Sequence, residues 1–172
     1  MLIRTIREDD AEQFLNLCKQ LDTETQFMLL EPGERTTTIE EQRAQIDLLL
    51  RHENHTILVA EQANQLVGYL EASGGMFNRN RHSTHIVIGI LQAFTGQGIG
   101  TQLLEQLEEW AKQRQIHRLE LTVMAHNTRG IALYKKQGFV TEGTRRDALL
   151  LNGHFMDEFY MSKLLDQSSS YL

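Results

Sequence analysis

Leu2, Ile3 and Ile6 are interleaved with Arg4, Thr5 and Arg7, a pattern that predicts an opening strand. Asp9 or Asp10 then stands where a helix cap is needed, and Phe14, Leu17, Cys18 and Leu21 recur on one face of the helix that follows. Cys18 is therefore expected in the core. Periodicity fades over residues 22–37, where Pro32-Gly33 marks a turn and Phe27, Met28, Leu29 and Leu30 form an apolar loop suited to the rim of a substrate site. Thr38 followed by Glu41 matches a capping box, and Ile39, Ile46, Leu49 and Leu50 give a second helix its buried stripe, ending near His52.

Residues 56–61 and 66–72 are strand-like runs joined by a polar turn at residues 62–65, which predicts an antiparallel hairpin. Residues 74–83 lack apolar periodicity and read as a loop. The next run, residues 84–91, is almost continuously apolar, as a central strand covered on both faces would be. A glycine-rich turn at residues 95–100 leads into a helix whose Leu103, Leu104, Leu107, Trp110 and Ala111 recur at helical spacing to about Gln115. Leu119, Leu121 and Val123 then alternate in a strand, and a short helix from about Thr128 ends at Gly138, a residue suited to a left-handed cap. Leu149-Leu150-Leu151, an Asn152-Gly153 turn and residues 155–161 give the strongest hairpin signal in the chain. This order predicts one α/β (α+β) domain over residues 1–165 and a frayed polar tail over residues 166–172.

Composition narrows the function. A chain of 172 residues with 41% hydrophobic content builds one sizeable core. Its 17 Lys+Arg against 23 Asp+Glu leave a net charge of -6, which argues against a sequence-blind grip on nucleic acid and mildly favours a cationic partner. The single cysteine rules out an intramolecular disulfide and a multi-cysteine zinc site, so a reducing cytoplasm is the expected compartment. The N-terminus has no apolar leader, and no run approaches the roughly 18 apolar residues of a membrane span. His82, His117, His126 and His154 lack metal-ligand spacing, and no metal is expected.

Gly96, Gly98 and Gly100 sit between a buried strand and an amphipathic helix, where main-chain N–H groups and the helix dipole can meet an anion. A tight turn with no ligand is the plain alternative. No Lys-Ser or Lys-Thr follows Gly100, against a nucleoside triphosphate loop, and the preceding hairpin is unlike a parallel dinucleotide-binding unit. The window Thr95-Gly96-Gln97-Gly98-Ile99-Gly100 resembles the Arg/Gln-x-x-Gly-x-Gly/Ala signature of the GCN5-related N-acetyltransferase (GNAT) superfamily. Residues 127–139, NTRGIALYKKQGF, are similar to that family's Asn-x-x-Ala-x-x-x-Tyr-x-x-x-Gly-Phe element, and residues 142–158 to its closing hairpin. The resemblance covers residues 2–165. It implies a central mixed, mostly antiparallel twisted sheet of about seven strands flanked by about four helices. Two residues depart from the family pattern: Thr95 stands in place of Arg or Gln, removing one partner for a pyrophosphate, and Gly130 in place of Ala.

The resemblance further implies acetyl-CoA as cosubstrate. The turn of Thr95, Gly96, Gln97, Gly98, Ile99, Gly100 and Thr101 would hold its pyrophosphate, Ile88, Ile90 and Leu91 would pair with the pantetheine arm, and Asn127 would hydrogen-bond that arm. A backbone N–H near Ile90 or Leu91 would face the carbonyl oxygen, where the strand splays from its neighbour. Tyr134 falls where the family keeps its general acid. The base has no direct heir, because the central strand lacks a Glu; Glu71, His85 and a water-mediated route remain open. Asp147 and Asp157 are candidates for recognising a cationic amine, either a small molecule or a peptide N-terminus. The final hairpin can present an edge strand for a homodimer. A catalytically idle acyl-CoA-binding module on the same fold is the rival reading.

Overall fold

The chain's computed structural model describes residues 1–166. In chain order these form β1 (Leu2–Thr5), α1 (Ala11–Glu24), α2 (Ile39–Leu50), β2 (His55–Gln62), β3 (Gln65–Gly74) and β4 (Ser83–Ile90). They continue as α3 (Ile99–Gln113), β5 (Arg118–Met124), α4 (Thr128–Lys136), β6 (Val140–Leu151) and β7 (His154–Leu164). The strands make one seven-stranded sheet in the order β1-β2-β3-β4-β5-β7-β6. Every neighbouring pair is antiparallel except β4 and β5. The expected tail lies outside the described residues from residue 167 onward. Among the described residues, no helix is long and apolar enough to cross a membrane.

Local chemistry accounts for the element ends. Ala63 and Asn64 (φ 50° and 61°) turn β2 into β3, and Asn152 and Gly153 (φ 50° and 80°) turn β6 into β7. Two consecutive left-handed residues match the twist of an antiparallel pair, which is why the Asn-Gly signal is so specific. Thr38 accepts from the Glu41 N–H at 3.2 Å, and Glu41 accepts from the Thr38 N–H at 2.8 Å, so α2 begins on the expected reciprocal cap. It ends at Leu50 rather than near His52. Asp10 departs from the expected forward cap. Its carboxylate closes back on the Arg7 N–H at 2.7 Å and takes two hydrogen bonds from Arg4, pinning β1 to the start of α1.

Two apolar layers flank the sheet. On one face Leu103, Leu104 and Leu107 of α3 pack on Leu58, Leu70 and Ile86, with Tyr134 of α4 in the same cluster. On the other, Phe14, Leu17, Cys18 and Leu21 of α1 and Ile46 of α2 pack on Ile57, Val59 and Tyr69. Full burial of one such leucine contributes about 1.5–3 kcal/mol. Cys18 is core, as its place in the helix predicts, and burial pushes its thiol up to about 12, well outside the reactive range. No residue of β5, β6 or β7 belongs to the buried cluster under α1 and α2. That half of the sheet keeps an open face, on which Tyr160 is 47% exposed. β6 is an edge strand, with Val140 and Leu150 exposed along it.

Candidate active site

β4 and β5 pair only at Ser83–Arg118, Thr84–Leu119 and His85–Glu120. Beyond those rungs β4 runs to Ile90 and β5 to Met124 with no ladder between them, although each stays paired on its outer side, to β3 and to β7. The sheet is therefore split at its centre. The Leu91 N–H donates to the Val67 carbonyl at 3.0 Å, so by ladder alternation the backbone groups of Ile88 and Ile90 point the other way, into the split. Unpaired strand edges of this kind are what an extended ligand docks on by adding main-chain hydrogen bonds. Of the two expected oxyanion donors, Ile90 faces the split, whereas the Leu91 N–H is already engaged with β3 and the residue is buried.

The glycine turn lies just past this split. Gly96 and Gly98 have φ of 78° and 81°, a region costly to any side chain, and Gly98 is the N-cap of α3. The first intrahelical bond is Gln102 N–H to Gly98 O at 3.1 Å, which leaves the N–H groups of Ile99, Gly100 and Thr101 without helical acceptors. No acidic residue occupies the first turn of α3. A Cβ at Gly100 would stand 2.7 Å from Leu133 Cδ2, so this glycine lets α3 close on α4. Thr95 donates its hydroxyl proton to the Gln92 carbonyl at 2.8 Å and accepts a hydrogen bond from Arg129 Nη1 at 2.8 Å. Gln97 donates its side-chain amide to the Ala93 carbonyl at 3.2 Å.

α4 delivers two further expected residues. Asn127 caps the helix, its Oδ1 accepting from the Gly130 N–H at 2.9 Å, which leaves the side-chain NH2 as the group able to reach a ligand. Gly130 has a specific reason: a Cβ there would lie 2.8 Å from Asn127 Nδ2. Tyr134 is 7% exposed, with its ring centroid 5.9 Å from that of Phe139, and its hydroxyl has no partner among the described residues. Burial pushes its phenol well above the usual tyrosine value, so the proton stays on the oxygen.

On the sheet face away from α3, register places Glu71 beside Val87 and His85 beside Ser73. The face continues through Glu120 to Ser162, Thr122 to Tyr160 and Met124 to Glu158. Glu71 is half-buried within β3 and accepts from the Ser73 hydroxyl at 3.2 Å. His85 is exposed on the last paired rung. Asp157 accepts from the Asp147 N–H at 2.9 Å, so that acidic pair is held together at the β6–β7 bulge. Glu158, missed in the sequence, is buried and takes a hydrogen bond from Arg145 at 3.1 Å. His126 lies just past the end of β5. It is half-buried, with its ring centroid 5.1 Å from that of Phe27, and its Nδ1 is buried without a hydrogen-bond partner among the described residues. That contact brings the apolar loop after α1 to the rim of the split.

A separate cavity lies elsewhere. It measures about 1430 Å³ at the opposite end of β4, where His52, His55, His82, Trp110 and Arg114 line it and Leu165 and Asp166 bound it.

A family model described as the acetyltransferase (GNAT) family matches residues 15–139. The L-amino acid N-acetyltransferase AaaT of Escherichia coli (strain K12) is 31% identical over 111 residues, covering 62% of this chain and 67% of that one. The crystal structure of an acetyltransferase of the GNAT family from Streptococcus pneumoniae superposes with a TM-score of 0.92 at 30% identity, covering 96% of this chain and 99% of that one. The structure of yncA from Salmonella typhimurium, solved with its cofactor acetyl-CoA, has a TM-score of 0.86 at 20% identity and covers 99% of this chain and 96% of that one. With its split sheet, glycine turn and capped α4 already in place, the chain belongs to the GNAT acetyltransferase family.

Proposed function

We propose that the protein transfers the acetyl group of acetyl-CoA to a primary amine, of a small molecule or a peptide N-terminus, by direct attack within the split between β4 and β5. The observation that carries this reading is the unpaired inner edge of β4, which turns the Ile90 N–H toward the split while the glycine turn waits at its mouth. A pantetheine arm can add to the Ile88–Ile90 edge as an extra strand would, and the N–H groups of the turn can meet the pyrophosphate. The amine nitrogen bonds to the thioester carbonyl carbon and the carbon–sulfur bond breaks. Ile90 stabilises the charge gathering on the carbonyl oxygen, and Tyr134 gives its phenolic proton to the departing sulfur. The proton lost by the amine goes to Glu71 or His85, directly or through water. Glu71 is the better placed of the two, because it lies beside Val87, past the last paired rung, whereas His85 sits on that rung. The amine class is consistent with the amino-acid acetyltransferase among the relatives and with the carboxylates of the open face.

Thermal unfolding tests the donor half of this reading. CoA or acetyl-CoA at about 100 times its Kd is expected to stabilise the fold by roughly 2.7 kcal/mol. For a chain of this size that amounts to about 5–10 °C in Tm. ATP and NAD at the same concentration are expected to shift the Tm far less. No shift with CoA, or equal shifts with all three, would rule out the donor assignment.

A further inference from the structure

Among the described residues Arg129 is a cation without a counter-charge. Arg4, Arg35, Arg51, Arg118 and Arg145 each lie within ion-pair distance of a carboxylate, whereas Arg129, like Arg7, Arg43, Arg79, Arg81, Arg114 and Arg146, forms no salt bridge with any described residue; what sets it apart is its place beside the glycine turn. It sits in the first turn of α4, a helix of nine residues, where the dipole disfavours positive charge. Among the described residues its hydrogen-bond partner is the Thr95 hydroxyl at 2.8 Å, directly before Gly96. The guanidinium is thus tethered by a single N–H beside the glycine turn, against the local field, with its other donors not engaged by any described residue. The first turn of α3, which faces the same space, has no acidic residue either. Such an arrangement is unfavourable in the free protein and becomes favourable when a polyanion joins it.

We infer that Arg129 grips the pyrophosphate of the acyl donor, reaching from α4 to supply the cation that Thr95 lacks, with the Thr95 hydroxyl aiming the guanidinium. The inference rests on the acetyl-CoA reading and adds to it the residue that neutralises the phosphates. It also sets what Thr95→Arg does. In the parent that substitution places two guanidinium groups together and gains little, whereas in an Arg129→Ala background it restores the missing charge.

Calorimetric titration of CoA and of dephospho-CoA into the parent, Arg129→Ala, Arg129→Lys and Thr95→Arg/Arg129→Ala tests this. Arg129→Ala is expected to weaken both ligands by about tenfold to a hundredfold, the range of a lost charge-assisted hydrogen bond, with the Tm of the free protein nearly unchanged. Arg129→Lys should keep most of the affinity, and Thr95→Arg should recover much of it in the double variant. Raising the salt should narrow the gap between parent and Arg129→Ala. Unchanged CoA affinity in Arg129→Ala overturns the inference while leaving the donor reading intact. A loss seen with CoA but absent with dephospho-CoA also overturns it, placing Arg129 on the 3′-phosphate. A parent that binds neither ligand removes the donor reading and the inference together.

Discussion

Gly98→Val is expected to weaken CoA binding by at least a hundredfold in a protein that still folds. Gly98 has φ 81°, and a Cβ there would meet nothing in the fold nearer than Gln102 Nε2 at 3.9 Å. The cost to folding is therefore the left-handed backbone alone, about 1–2 kcal/mol or somewhat more for a β-branched side chain. The cost to binding is larger, because the isopropyl group occupies the space through which two or three N–H groups would reach a phosphate. Each charge-assisted hydrogen bond lost is worth about 1.5–3 kcal/mol, and a hundredfold needs roughly 2.7. Gly138→Ala is the matched control: φ is 87° there too, the position ends α4, and the nearest contact is Lys163 Cε at 3.5 Å. It should lower the Tm through the same kind of backbone strain without changing CoA affinity. Circular dichroism with a CoA titration reads both effects. A folded Gly98→Val protein that binds CoA like the parent would make the glycines a plain turn.

Tyr134→Phe is expected to lower the single-turnover rate about 10²-fold while changing CoA affinity little. The ring stays and with it the packing on Phe139, so the change removes only a hydroxyl that no described residue engages. Burial raises the phenol, which keeps it protonated but makes it a weaker acid. Its contribution therefore belongs at the low end of the general-acid range. The raised phenol also sets the pH profile. The rate should climb as the amine loses its proton and then level off, with no alkaline fall up to about pH 10, because Tyr134 does not ionise below its normal pKa of about 10. Rapid-quench measurement over that range avoids masking by slow product release. Equal rates in parent and variant would demote Tyr134 to a packing residue. An alkaline fall below pH 10 that disappears in the variant would contradict its raised pKa.

Features set by residues close in sequence were legible before any coordinates. The Asn152-Gly153 turn needs two left-handed residues in a row, the Thr38–Glu41 cap needs two side chains one turn apart, and the glycine turn needs backbone without Cβ. Each is decided locally. The family resemblance added the likeness of residues 127–139, and with it the places of Asn127 and Tyr134. The split between β4 and β5 has no local signature. It arises because β3 and β7 hold the two strands along their outer sides after the inner pairing stops at His85–Glu120, a property of register over distant segments. The surroundings of Glu71 are set in the same way, since its neighbour Val87 is known only once β3 and β4 are aligned. The Arg129–Thr95 tether joins residues of separate elements through a side chain that composition alone would leave in solvent. The contact between His126 and Phe27 is likewise non-local, because Phe27 lies on the irregular loop where periodicity gives no guide.

The measurement closest to the central claim follows the acetyl group itself. Acetyl-CoA carrying an isotopic label in the acetyl group is mixed with the protein and a panel of free L-amino acids and short peptides. Products and intact protein are then weighed by mass spectrometry over the course of one turnover. Direct attack in the split requires a labelled N-acetyl amine and CoA to appear in equal amounts while the protein keeps its mass throughout. CoA that binds without any labelled amine from the panel, or a labelled protein that forms first and then passes its acetyl group on, would contradict it.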